Sequence, residues 1–138
     1  MIELETMPDL KWIETDFMEC LKVIPEVEDY EVERVYKVEK NGLILAVTVW
    51  QYESVVCISL RQQENTAPLT EFALFVREAI QYIHDKRGEY LEFRDCIIAP
   101  SRFSYLEMGN MLDRTKFNRG STVQLAIKPH VQIRHIRD

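Results

Sequence analysis

The side chains best suited to moving protons are His84, His130 and His135. With Arg134 and Arg137 beside them, His130 and His135 supply what phosphodiester cleavage requires, a proton shuttle and cations to hold an oxyanion. Five residues apart on a strand, however, the two imidazoles point to opposite faces, because strand side chains alternate with a period of two. His84-Asp85 falls near an expected helix end, where the dipole favours an imidazolium without any catalytic task. No HExxH pair is present, Ser101, Ser104 and Ser121 lack a GxSxG setting, and Gly88, Gly109 and Gly120 are too isolated to cradle a phosphate. The pattern points away from an enzyme, and no catalytic residue, cofactor or metal is expected.

Cys20, Cys57 and Cys96 are odd in number and widely spaced, so they outline neither a disulfide framework nor a CxxC metal knuckle. Apolar neighbours such as Val56 and Ile58 mark them as small buried hydrophobes. Reduced thiols, an acidic start without a signal-like h-region and no apolar run of bilayer length lead to an expected cytoplasmic location with no membrane partner.

Charge is the sharper signal. Residues 1–69 carry six Lys and Arg against fourteen Asp and Glu, whereas residues 70–138 carry eleven against nine, within an overall −6. Glu26, Glu28, Asp29, Glu31 and Glu33 place five carboxylates in eight residues around Tyr30. The bland reading is a solvated strand face kept soluble by charge. The functional reading is an anionic surface, Glu26, Glu28, Asp29, Tyr30, Glu31 and Glu33, that steers and holds a basic protein. The spacing lacks the Gly-marked pattern of a calcium loop. In the basic half, Arg114, Lys116 and Arg119 flank Phe117, the composition of a single-strand nucleic-acid patch. An RNA-binding protein or RNA-directed enzyme using these residues with His130 is therefore the alternative reading, although the aromatic-rich RNP pattern is absent and direct nucleic-acid binding is not expected. An oligomeric subunit joined through a strand edge is a third.

The elements that must position these groups fit one α+β domain over 1–138, mainly antiparallel sheet with an N-terminal helix and a second helix packed on it. A chain of 138 residues with 46% hydrophobic residues can bury one core. Leu10, Ile13, Phe17, Cys20, Leu21 and Ile24 recur at helical spacing, predicting a helix at about 8–23, with Thr6 as N-cap, Trp12 on the helix and Pro25 as its end. Asn41-Gly42 predicts a type I′ hairpin turn into a β-rich run over 43–52, and Glu53-Ser54 a turn into a third strand. Leu69, Phe72, Ala73, Val76, Ala79, Ile80 and Ile83 match a helical face, with Lys86-Arg87-Gly88 as its cap. A strand is expected over 89–98, a short helix over 103–112, and two terminal strands at 122–128 and 131–136.

The segment Asp85-Lys86-Arg87-Gly88-Glu89-Tyr90-Leu91-Glu92-Phe93-Arg94-Asp95-Cys96-Ile97-Ile98-Ala99-Pro100, continuing through Arg102-Phe103, resembles the immunity proteins of bacterial contact-dependent growth inhibition systems. So does the overall character, small and acidic. That resemblance implies selective binding to the toxic domain of a sibling cell's effector, commonly a nuclease, so that its active site is blocked. Such proteins have diverse folds and no shared site residues, so the resemblance transfers none. Carboxylates would then compete for the toxin's phosphate-binding cations, and Tyr30, Tyr36 and Tyr52 are candidate anchors.

Overall fold

A computed structural model describes residues 10–27, 33–102 and 120–137. Among the described residues there are one helix, α1 (Glu14–Leu21), and eight strands: β1 (Glu26–Val27), β2 (Arg34–Lys40), β3 (Leu43–Trp50), β4 (Val55–Gln62), β5 (Thr70–Asp85), β6 (Gly88–Ala99), β7 (Ser121–Ala126) and β8 (Gln132–Arg137). Every strand pairs antiparallel with the next, giving one meander in the order β1 to β8. The turns form where the backbone needs them. Asn41 and Gly42 both have positive φ, 53° and 78°, the geometry of the expected two-residue turn, and Lys40 faces Leu43 across it.

The expected second helix is a strand. Residues 69–83 fall mainly on β5, which pairs with β4 through Leu60↔Thr70 to Val55↔Phe75 and with β6 along its length. The two-residue alternation is erased because Ala73 to Val76 are buried on both faces. It is further disturbed by a bulge between Val76 and Ala79, and the surviving apolar positions mimic a helical stripe. Lys86-Arg87-Gly88 accordingly belongs to a hairpin turn, closed by Asp85↔Gly88, rather than to a helix cap.

The first helix is shorter than expected. It begins at Glu14 with Ile13 as N-cap and ends at Lys22, whose φ of 59° stops it before Pro25. Residues 10–12, Trp12 included, are not helical, because their backbone is taken by the sheet: Leu10 N–H donates to Gln51 O, and Lys11 O accepts from Ile80 N–H. That second bond satisfies β5 just beyond its bulge, where β4 no longer pairs with it. Thr6 and the expected helix over 103–112 lie outside the described residues. The two terminal strands are present as β7 and β8.

One face of the sheet curls around α1. Phe17, fully buried, has its ring centroid 5.1 Å from that of Tyr36 on β2 and 6.1 Å from that of Phe93 on β6. In a flat sheet, strands four positions apart would be separated by about 19 Å. Reaching both from one ring requires a strongly curved sheet. Arg34, at the start of β2, fixes the helix start by donating from Nε to Glu14 Oε1 at 2.9 Å, with its guanidinium 5.8 Å from the Trp12 ring centre. At the other end Lys22 lies 3.8 Å from Glu89, which also accepts from the Tyr82 hydroxyl.

Candidate partner-binding face

The face opposite α1 is built from three rows of cross-strand neighbours, whose side chains share a face. The first row runs Glu26, Val35, Thr48, Cys57, Ala73, Ala99. Beside it run Trp50, Val55, Phe75 and Ile97 on one side and Lys37, Ala46, Ser59 and Glu71 on the other. Val55, Ala73, Phe75, Ile97 and Ala99 form a second apolar cluster, with Trp50 and Cys57 packed against it. Ala46, Thr48, Cys57 and Ser59 are small, so the centre of this face is a depression rather than a ridge. It forms a cleft of about 250 Å³, walled by Trp50, Pro100, Ser101 and Arg102, with Glu71 also lining it.

Electrostatics in the cleft are set by a few groups. The Arg102 guanidinium lies 4.4 Å from the Trp50 ring centre and donates from Nε to Glu53 Oε2 at 2.7 Å. Both interactions fix this cation against the wall. The Cys57 thiol is pushed up to about 11, first by burial and then by the Glu71 carboxylate, with Glu33 adding to the rise; a backbone hydrogen bond from Arg102 and its charge act in the opposite direction. Cys57 therefore stays a neutral thiol near pH 7, a lining atom rather than a nucleophile. Cys20, pushed up to about 12 mainly by burial, is equally inert in the core.

Of the residues expected on sequence grounds, Glu26 is exposed on β1 and shares the face opposite α1 with Val35. Glu33, half-buried, immediately precedes β2 and reaches the cleft electrostatically through its effect on Cys57. Glu28, Asp29, Tyr30 and Glu31 lie outside the described residues, as do Arg114, Lys116, Phe117 and Arg119. Among the proposed tyrosine anchors, Tyr36 is corrected: it is completely buried against Phe17, because its position on β2 points to the helix side. Tyr52, in the turn between β3 and β4, is 55% exposed and remains available. The histidines are not gathered. His84 stands opposite Glu89 in the β5–β6 ladder, His135 on β8 stands opposite Val123 on β7, and His130 lies in the connection before β8 rather than on a strand. No group of three or more metal-ligating side chains is assembled among the described residues.

Sequence reasoning missed the cleft, leaving Trp50, Glu71 and Arg102 without a role in it. The signal was the small side chains at 46, 48, 57 and 59. Their mutual positions follow once Glu53-Ser54 is read as the turn that sets Trp50 opposite Val55.

No family model matches the sequence, and no curated protein does. A solved structure matches in fold. The fold is shared with a chain of a contact-dependent growth inhibition toxin–immunity protein complex from Klebsiella pneumoniae 342. The TM-score is 0.67, covering 91% of this chain and 95% of that one, at 14% sequence identity. The likeness is thus one of fold, carried by nearly the whole of both chains. None of the helices among the described residues is long and apolar enough to cross a membrane.

Proposed function

We propose that this chain is an immunity protein: it binds a cognate toxin domain and blocks it, without catalysing a reaction. The observation that carries this reading is the near-complete sharing of fold with a chain of a toxin–immunity protein complex. The acidic stretch supports a basic partner, and a nuclease, which binds polyphosphate through Lys and Arg, is the class that fits. Glu26, Glu28, Asp29, Tyr30, Glu31 and Glu33 form the proposed docking segment. Carboxylates there steer the partner by long-range attraction, while affinity comes from a few desolvated anchors. The protein acts in the cytoplasm, where an incoming toxin must be met before it reaches nucleic acid.

The test is co-expression of this chain with the toxin domain encoded beside it, followed by co-purification and a growth assay. Capture of the toxin domain and rescue of growth are expected. Reversing Glu26, Glu28, Asp29, Glu31 and Glu33 to Lys should weaken capture at least tenfold and make the residual binding less sensitive to salt. No complex and no protection overturns the immunity reading; unchanged affinity in the reversed variant overturns the acidic docking segment. Retention of RNA by the purified protein at low salt would instead favour the alternative RNA-directed reading.

A further inference from the structure

We infer that the cleft between Trp50, Cys57 and Glu71 receives one basic side chain, an arginine or lysine, of the partner protein. This inference rests on the immunity reading and adds an anchor to it, on the sheet face that also carries Glu26. Three observations lead there. The cleft, about 250 Å³, is floored by small side chains, which leaves room for one long side chain. Of the two charged side chains that line it, Arg102 is already paired with Glu53, while the Glu71 carboxylate has no ion-pair or hydrogen-bond partner among the described residues and acts on the Cys57 thiol. Of the other cations on this face, Arg61, diagonal to Glu71, turns its guanidinium to the following loop, where Nη1 donates to Asn65 O at 3.2 Å, and forms no ion pair with Glu71 among the described residues; Arg77 is paired with Asp95; Lys37 stands three strands from Glu71 in the same row, about 14 Å away at the spacing of strands. The Lys37 distance exceeds the screening length of roughly 8 Å at physiological salt, so no cation of this face is in direct contact with Glu71 among the described residues.

The neighbouring groups suit a guanidinium or ammonium in further ways. Thr48 and Ser59 offer hydroxyl oxygens as acceptors on the floor of the cleft, and Trp50 already holds one guanidinium over its ring in Arg102. A partner's side chain would lay its methylene stem along Ala46 and Cys57 and bring its charge to Glu71. An acidic side chain would meet the Glu71 carboxylate there, and an aliphatic one would cover it without a counter-charge.

The test uses the full chain, isotope-labelled, titrated with arginine amide and, separately, with citrulline amide, which has nearly the same shape and the same α-ammonium but a neutral urea in place of the guanidinium. Arginine amide should shift the backbone signals of Thr48 and Cys57 and the indole signal of Trp50, saturating with a dissociation constant on the order of 10 mM, as one charge-assisted contact allows. Citrulline amide should not. Glu71→Gln should weaken the arginine amide about tenfold, and Ala46→Leu, which fills the floor, should abolish binding while signals on the α1 side of the sheet stay in place. Shifts that are absent, that spread over the whole surface, or that are equal for the two amides overturn the cleft. Because this titration needs no toxin, its failure is separate from failure of the immunity reading. With the toxin domain in hand, Glu71→Gln should speed dissociation, and an unchanged dissociation rate counts against the anchor even where the toxin is bound.

Discussion

Replacing Gly120 by alanine probes the junction where β6 bends. A Cβ at this position would lie 1.9 Å from Asp95 Oδ1 and 2.9 Å from both the carbonyl carbon and the Cα of Asp95. The side-chain oxygen can rotate away, but the two backbone atoms cannot. Asp95 is itself the extra residue of the bulge, with φ of 55°, and its carboxylate is engaged by Arg77 at 2.5 Å. Any rotation that relieves the clash therefore disturbs a part-buried ion pair, and any backbone retreat opens the β6–β7 ladder. Overpacking of this kind costs about 1–3 kcal/mol, a sizeable part of the roughly 5–15 kcal/mol that holds a domain folded. Gly120→Ala should accordingly lower the urea midpoint by the equivalent of about 2 kcal/mol with an unchanged m-value. In an Asp95→Gly background the side-chain contact is gone and the bulge backbone is free of Cβ strain, while the 2.9 Å backbone approaches persist. The cost of the alanine there should fall to about 1 kcal/mol, a coupling of about 1 kcal/mol in the double-mutant cycle. A loss below about 0.5 kcal/mol for the single variant, or no coupling, would refute the idea that this close approach shapes the bend.

Three further outcomes test the same framework. Phe17→Ala removes the ring that joins α1 to β2 and β6 and should cost about 3–5 kcal/mol by urea unfolding; the loss should include the helical circular-dichroism signal, since eight residues do not hold a helix without packing. Cys20 and Cys57 have folded-state values raised from 9.0 to about 12 and about 11, so their contribution is complete below pH 9 and declines as pH rises toward 11 to 12. Stability should fall by about 1.4 kcal/mol per pH unit per thiol in that window, and Cys20→Val should flatten the alkaline limb; a slope identical to that of the parent would contradict the assignment. Gly42→Ala meets no neighbouring atom but must hold a φ of 78°, so it should cost about 1 kcal/mol from backbone strain alone, read as a shift in thermal midpoint.

Much of the sheet was legible from local chemistry. Asn41-Gly42 announces its turn because few residue pairs accept two positive φ angles, and the β-branched run from Leu43 to Trp50 then has one natural partner on each side. The strand at β6, the terminal pair β7 and β8, and the burial of Cys20 and Cys96 followed from similarly short-range patterns. The acidic segment was legible as composition, yet composition does not say which face a carboxylate joins. Glu26 and Glu33 acquire that meaning through the pairing of Glu26 with Val35 and through the influence of Glu33 on Cys57.

What the sequence determined by itself was therefore the set of turns and short strands, the acidic character and the absence of familiar catalytic spacings, since each depends on residues close together in the chain. Tertiary structure decided the nature of β5. Its middle is buried from both sides and broken by a bulge, so its neighbours in space, not its own periodicity, make it a strand. It decided too that residues 10–12 leave the helix to hydrogen-bond the sheet, and that Tyr36 turns inward. The cleft is the clearest case: Thr48, Cys57, Glu71 and Arg102 come from four separate segments, and only the register of the strands brings them to one place.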